Sequence, residues 1–401
     1  SYDKESGELV LHNYMDFDNL KDYVKISYEL TQDGLLIGKG KLDEVSVVPH
    51  SEGKTNLQVN VPENGKCYLK LTYHLKKEMP LLEEDYILGF DEIEVSQKDA
   101  KCQLAEKWVE KTVTDSELQV SEDDTQIHIK GREFAYTIDR RTALFTEMKF
   151  AGREYLNHPM ELNIWRAPTD NDMYIKSEWK KAHYDKAYTR AYTTEVVQGK
   201  HGVKITSHAS VVAETVQKIL DVTITWKIEA AGKIDADIAV TKDDEFPDLP
   251  RFGVRMFLDK KLSAARYFGM GPQESYCDKH QAASHGLYRA NVDDLHEDYI
   301  RPQENGSHYD CEYVELNNSR YGIVASAENA FSFNASYYTQ EELEEKTHNY
   351  ELTESDSVVF CVDYALNGIG SNSCGPVVLE QYRFDDVLFR FQFTLIPYIK
   401  G

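Results

Sequence analysis

The stretch VTITWKIEAAGKIDADIAV, residues 222–240, decides the fold class of this chain. Apolar side chains occupy every second position over 222–228 and again over 234–240. A period of two is typical of a β-strand that buries one face. The intervening EAAGK, residues 229–233, carries a glycine where a tight turn needs one. The sequence therefore predicts two antiparallel strands joined as a hairpin.

The same alternation dominates the rest of the chain, whereas helix-length segments with capping residues are scarce. It recurs in the first hundred residues at 24–30, 57–61, 69–75 and 93–95, between turns bearing Gly, Asn or Asp. Seven or so short strands with such turns are typical of a sandwich. Residues 1–97 are therefore predicted to form a small immunoglobulin-like β-sandwich.

A polar segment interrupts this pattern before the alternation resumes. QKDAKCQLAEKWVEKTVTDSE has no clear period of two, and we interpret residues 98–120 as a linker in which a short helix can form. Strands then continue to the end of the sequence, which predicts one large antiparallel supersandwich over residues 121–401. The clearest helix candidate is EELEEK, residues 341–346, on the surface. The predicted fold class is all-β.

Charge and cysteine content exclude several classes of partner. The 401 residues include 45 Lys and Arg against 69 Asp and Glu, a net charge of −24, which disfavours nucleic acid and anionic membrane surfaces as partners. The six cysteines are scattered without a C-x-x-C pair, as expected of reduced thiols in the cytoplasm. The first residues include Asp, Lys and Glu where a secretory signal would be apolar, and no run of about 18 apolar residues suggests a transmembrane helix.

Polar residues, Gly and Pro concentrate in four segments where strands are predicted to end. They are IWRAPTDND (164–172), GMGPQESY (269–276), RPQENG (301–306) and GIGSNSCGP (368–376). Loops at one rim of a sandwich can combine into a concave site of amide and carboxylate groups, which suits a neutral polyol such as a sugar. Taken singly, each segment is more often a turn.

Together and in this order, the four loops resemble the signature loops of the C-terminal, small-chain part of family 2 β-galactosidases. YFGMGPQESYCD (267–278) and IRPQENGSHYDCEYVEL (300–316) extend the match, and LVLHNYMDFDNL (9–20) resembles the small sandwich that precedes it. The resemblance implies the fourth and fifth domains of such an enzyme, the fifth being related in fold to galactose mutarotases. In that family the two catalytic glutamates lie on a preceding (β/α)₈ barrel, and no βα repeats occur here.

Site residues follow from the resemblance. Arg166, Asp170, Asn171 and Asp172 look like the start of a mobile loop that borders the galactoside pocket, and Ser371, Asn372, Ser373 and Cys374 are further candidates for facing it. The chain departs from the family pattern at two places. Met173 and Tyr174 follow Asp172, where the best-known family pattern has a glycine that can act as a hinge. Cys374 occupies the position at which some family members have a tryptophan that stacks on the leaving sugar. A thiol offers no aromatic platform.

The resemblance therefore implies the C-terminal, two-domain portion of a cytoplasmic β-galactosidase, which completes the active-site pocket but carries no catalytic residue and is inactive alone. Expected partners are the barrel and N-terminal domains, a galactoside substrate and other copies of the enzyme. No cofactor is expected in this chain; any Mg²⁺ or Na⁺ is expected in the intact enzyme. Cys277, His280 and His285 lack zinc-site spacing. Two alternatives are a free-standing mutarotase-like epimerase and a non-catalytic carbohydrate-binding or structural module.

Overall fold

The computed structural model describes residues 1–96, 118–370 and 374–400. Most of the predicted linker, residues 98–120, and the short helix considered there lie outside these ranges. The chain forms two compact units, the small one from residues 1–96 with His285–Leu287 and the large one from the remaining described residues. None of the helices in these ranges is long and apolar enough to span a membrane.

The small unit is a sandwich of two antiparallel sheets, as predicted. The sheets have the orders β1-β2-β5 and β4-β3-β6-β7. Leu9 and Leu11 from the first sheet share one apolar core with Ile26, Leu69 and Leu71 from the second. The elements are β1 (Tyr2–Asp3), β2 (Glu8–Asn13), α1 (Leu20–Tyr23), β3 (Val24–Gln32), β4 (Leu35–Lys41), β5 (Ser51–Asn56), β6 (Cys67–Leu75) and β7 (Ile87–Ser96).

One strand of the small unit was placed wrongly. The alternation at residues 57–61 predicts a strand, but the strand β5 ends at Asn56 and has the sequence SEGKTN, without apolar alternation. Leu57 is nevertheless buried, and Val59 and Val61 pack against the same core. The alternation at residues 57–61 therefore reflects burial of one face of this segment, and such burial does not require pairing in a sheet.

The large unit contains a 5-stranded and a 12-stranded antiparallel sheet. The small sheet has the order β12-β11-β10-β9-β8; the large one follows β13-β18-β23-β22-β24-β17-β16-β15-β14, with β19, β20 and β21 attached through β22. The strands are β8 (Gln119–Glu122), β9 (Gln126–Lys130), β10 (Phe134–Asp139), β11 (Leu144–Phe150), β12 (Arg153–Glu154), β13 (Leu156–Asn163), β14 (Tyr188–Gln198), β15 (Gly202–Val212), β16 (Leu220–Glu229), β17 (Ile234–Lys242), β18 (Arg251–Asp259), β19 (Ala264–Gly271), β20 (Ser284–Asn291), β21 (Ser307–Asn317), β22 (Tyr321–Ser336), β23 (Ser357–Leu366) and β24 (Leu388–Ile399).

Helices are few and short in the large unit. The α-helices are α2 (Ile175–Lys181) and α3 (Gln340–Glu345), and the 3₁₀ turns are Asp170–Asp172, Tyr184–Lys186, Val292–Leu295, Asn349–Glu351 and Glu380–Tyr382. The surface helix predicted at residues 341–346 is confirmed by α3, where the side chain of Thr339 accepts a hydrogen bond from the amide of Glu342.

The first strand of the large unit, β8, begins at Gln119, so residues 119 and 120 of the predicted linker belong to a strand.

The two sheets of the large unit enclose one apolar core. The indole nitrogen of Trp226 on β16 donates to the carbonyl of Ala143 at 2.8 Å, and its ring meets Phe145 edge-on at 4.9 Å. The predicted hairpin is present, since β16 and β17 pair from Leu220↔Lys242 to Ile228↔Ile234. The turn between them places Gly232 at φ +93°, a conformation that favours glycine. The predicted all-β class is confirmed.

Candidate functional site

The loop at residues 164–172 leaves β13 extended and closes in a single 3₁₀ turn. Pro168 keeps the preceding residue out of the helical region, so the chain stays extended up to Thr169, whose φ is −77° and ψ 168°. The carboxylate of Asp172 then accepts a hydrogen bond from the amide of Thr169 at 2.9 Å and one from its hydroxyl at 3.1 Å. Asp172 thus performs the local turn chemistry that aspartate favours.

Arg166 lies inside the protein and ties this loop to the segment after β23. Its side chain has no exposed surface, and Nη2 lies 2.7 Å from Oδ1 of Asp172. The guanidinium also donates to the carbonyl oxygens of Asn367 and Gly368, the second at 3.2 Å. Its carbon Cζ stands 5.3 Å from the ring centre of Trp179. Because all these partners are buried protein groups, Arg166 and Asp172 hold two loops together.

The other candidates of the 164–172 loop reach the remaining polar segments. The side-chain amide of Asn171, half-buried, donates to the carbonyl of Ile369 at 2.6 Å. Asp170 is exposed; its backbone amide donates to Oε1 of Gln303 at 3.0 Å, and the amide nitrogen of Gln303 donates back to its carboxylate at 3.3 Å. Three of the four predicted loops therefore meet around the turn at Asp170–Asp172.

The loop at residues 269–276 joins the cluster through a carboxylate. Oε2 of Glu274 accepts a hydrogen bond from the amide of Gly306 at 2.8 Å, and the amide of Ser275 donates to the carbonyl of Ser307 at 2.7 Å. Glu274 also contacts the ammonium of Lys279. The structure thus brings all four polar segments together at one place on the large unit. We refer to them as the loop cluster.

Asp278, a residue for which the sequence suggested no role, anchors the last of these segments. Its two carboxylate oxygens accept hydrogen bonds from the amides of Ile369 at 3.0 Å and Gly370 at 2.7 Å. A β-carbon at Gly368 would lie 2.6 Å from the same carboxylate, so this close approach requires glycine. Asp278 lies inside the quoted stretch YFGMGPQESYCD, but nothing in its local sequence predicts a partner about 90 residues away.

A buried group of charges underlies the cluster. Arg251 forms ion pairs with Asp363 at 2.5 Å and with Glu304 at 3.3 Å, and all three side chains are almost wholly buried. The other carboxylate oxygen of Glu304 has no hydrogen-bond partner among the described residues. Burial raises the pKa of Glu304, although Arg251 and Arg166 oppose that rise. The amide of Glu304 donates to the carbonyl of Ala167 at 3.0 Å, which links this group to the first loop.

The predicted site residues therefore divide by burial. Arg166 and Asp172 are buried against each other, Asn171 is half-buried, and Asp170 and Cys374 are exposed. Ser371, Asn372 and Ser373 lie outside the described residues. Among the described candidates, Asp170, Asn171 and Cys374 have surface left for a ligand. The residues that the sequence reasoning missed, above all Asp278, Gln303 and Glu304, bind other loops through contacts over long sequence distances.

Cys277 and His280, two of the residues considered above as metal ligands, contact carbonyl oxygens of the protein. The thiol of Cys277 lies 3.7 Å from the carbonyl oxygen of Leu366, and Nδ1 of His280 lies 3.0 Å from that of Tyr276. Across residues 1–96, 118–370 and 374–400, no three His, Cys, Asp or Glu side chains come together in a way that can hold a metal ion.

Comparison with known families matches both units. Residues 130–395 match the family model described as beta galactosidase small chain, and residues 9–96 match the model of beta-galactosidase domain 4. These two matches define the chain as a two-domain region of the β-galactosidase type. The chain belongs to the β-galactosidase small-chain family.

Individual relatives agree. The chain is 42% identical to the beta-galactosidase of Actinobacillus pleuropneumoniae over 97% of its own length and 30% identical to that of Staphylococcus xylosus over 98%. It spans 38% and 39% of the lengths of these two relatives. Among solved structures, galactose 1-epimerase from Lactobacillus acidophilus NCFM is similar over 72% of this chain and all of that protein, with 6% identity and a TM-score of 0.38.

Proposed function

We propose that this chain is the C-terminal portion of a β-galactosidase that hydrolyses terminal non-reducing β-D-galactosyl residues. Its loop cluster would complete the active-site pocket of the intact enzyme. The convergence of the four polar loops carries this proposal, because it leaves Asp170 and Asn171 at one edge while Arg166 and Asp172 fix their backbone. An exposed carboxylate and a side-chain amide can bind sugar hydroxyl groups.

The reaction itself would depend on groups outside this chain. In the proposed mechanism one glutamate of a (β/α)₈ barrel forms a covalent glycosyl-enzyme, a second acts as acid and then as base, and the anomeric configuration is retained. The longest helix among the described residues has seven residues, so the described units contain no such barrel. The chain alone would therefore be inactive, and its partners would be the barrel, the N-terminal domains and other copies of the cytoplasmic enzyme.

The test is hydrolysis of a chromogenic β-D-galactoside by this chain alone and after mixing with the barrel-containing portion of the same enzyme. We expect activity on mixing and none before. Activity of the chain alone would contradict the assignment of both glutamates to the barrel. Acceleration of the mutarotation of α-D-galactose by the chain would instead favour the epimerase alternative.

Two variants locate the contribution of the loop cluster. Asp170→Ala should lower kcat/KM of the mixed enzyme about tenfold, the effect of one lost hydrogen bond to a charged group. The control is Asp124→Ala, which removes an exposed carboxylate from a turn in the same unit and should leave kcat/KM unchanged. Assembly of both mixtures is followed by size-exclusion chromatography. Equal kcat/KM for the two variants at equal assembly would refute a pocket role for Asp170.

A further inference from the structure

A cavity of about 320 Å³ opens in the large unit beside the loop cluster. None of the described site candidates from the sequence lines it. Its walls come from β22, β23, the start of β21, the segment before β24, and Tyr276 and Cys277 at the end of the 269–276 loop. The rings among them are Tyr276, Tyr309, Phe331, Tyr364, Tyr382 and Phe384. The backbone amide of Phe384 donates to Oδ1 of Asn367 at 2.8 Å, so one wall is fixed to the segment that Arg166 also binds.

Three tyrosines give this cavity unused hydroxyl groups. The hydroxyls of Tyr309, Tyr364 and Tyr382 form no hydrogen bond with any residue in the described part of the chain. Burial raises the pKa of Tyr309 and of Tyr364, and both phenols can donate as well as accept a hydrogen bond. These hydroxyls are half-buried and open to solvent, so a ligand in the cavity can replace water as their hydrogen-bond partner.

Charged groups complete the lining. Asp310 and Asp386 contribute carboxylates that accept hydrogen bonds, and Arg383 contributes a guanidinium that donates them. Nε of Arg383 donates to the carbonyl of Val378 at 3.0 Å, which positions this side chain. Two carboxylates against one guanidinium disfavour an anion, and a purely apolar ligand would leave the tyrosine hydroxyls of the wall facing it without hydrogen bonds.

We propose that this cavity, which we call the tyrosine cavity, binds a neutral pyranose. A sugar ring has hydroxyls for the phenols, carboxylates and guanidinium, and an apolar C–H face for the rings of the wall. The volume lies at the lower end of the range of roughly 300–1,000 Å³ found for small-molecule pockets, which suits one or two sugar rings better than a longer oligosaccharide. The proposal is independent of the complementation proposed above, because it concerns binding by this chain without the barrel.

Titration calorimetry of the chain with D-galactose and D-glucose tests this proposal. We expect saturable binding of at least one hexose and none of sorbitol, an acyclic polyol with the same groups but no ring. No saturable binding of either hexose would overturn the proposal, as would equal binding of sorbitol. Tighter binding of galacturonate than of galactose would overturn the preference for a neutral ligand.

Variants assign the binding to the cavity. Ala330 is an exposed residue of β22 in its wall, and Ala330→Trp should fill the space and abolish binding. The double variant Tyr309→Phe, Tyr382→Phe keeps both rings and removes two hydroxyls, which should weaken binding about tenfold. Tyr350→Phe, in a residue 79% exposed and outside the cavity, is the matched control. Hexose binding that survives Ala330→Trp in a folded protein would refute the assignment, whatever the outcome of complementation.

Discussion

Replacement of Arg166 with methionine should destabilise the large unit strongly. The substitution keeps an unbranched side chain of similar length but removes the charge that faces the Asp172 carboxylate at 2.7 Å. It also leaves the carbonyl oxygens of Asn367 and Gly368 without the donor they now share. Both partners of the ion pair are almost completely buried, so water cannot replace the lost contacts.

The structure sets the size of this effect. Removing one member of a buried ion pair typically costs about 3–5 kcal/mol, because the remaining charge stays buried without compensation. Asp172 retains its two hydrogen bonds from Thr169, which reduces the cost, whereas the two abandoned carbonyls add to it. We therefore expect the free energy of unfolding to fall by about 3–5 kcal/mol in Arg166→Met.

The measurement is urea-induced unfolding followed by tryptophan fluorescence, since Trp179 packs against the guanidinium. The double variant Arg166→Met, Asp172→Leu removes both charges and should recover part of the loss, because no unpaired charge is then buried. Lys181→Met is the control: it breaks an exposed pair with Glu178 on the same segment of chain and should not shift the midpoint. A loss below about 1 kcal/mol in Arg166→Met would refute the account of Arg166 as the link between the two loops.

Three further outcomes follow from single side chains. Burial lowers the pKa of His308 from 6.5 to about 4. The stability that its neutral form contributes is therefore complete above pH 6.5 and is lost as the pH falls towards 4. His308→Phe should remove about 3 kcal/mol of this acid dependence, measured as the free energy of unfolding against pH. Asn171→Asp replaces the donor to the Ile369 carbonyl with an acceptor and should speed hydrogen exchange at 368–370; unchanged exchange would show that this bond is dispensable. If the proposed function holds, Cys374→Trp in the intact enzyme should tighten inhibition by glucose, and an unaltered inhibition constant would argue against a pocket position for Cys374.

Local pattern predicted much of the fold. The alternation at 222–228 and 234–240 gave the central hairpin, and the acidic turn at 341–346 gave α3, because burial of one face and surface exposure both leave a period in the sequence. The strand β5 left no such signal, since all six of its residues are polar or glycine and its pairing with β2 alone defines it. Pairing between distant strands is decided by the whole sheet, which a local pattern does not contain.

The candidate site was predicted in part. The composition of four loops indicated where polar groups concentrate, and the structure brings those loops together. The sequence did not separate Arg166 and Asp172, which face each other in the interior, from Asp170, which remains exposed. Arg166 also donates to the carbonyl oxygen of Asn367, 201 positions away, and no reading of the local sequence can supply that partner.

The position of β24 has a consequence for how the protein is made. This strand lies inside the large sheet, paired on one side with β17 and on the other with β22, both of which precede it in the chain. During translation each half of the sheet keeps an unpaired strand edge until β24 has been synthesised. A chain cut short before Leu388 would therefore keep two half-sheets with unpaired edges, which are prone to aggregation.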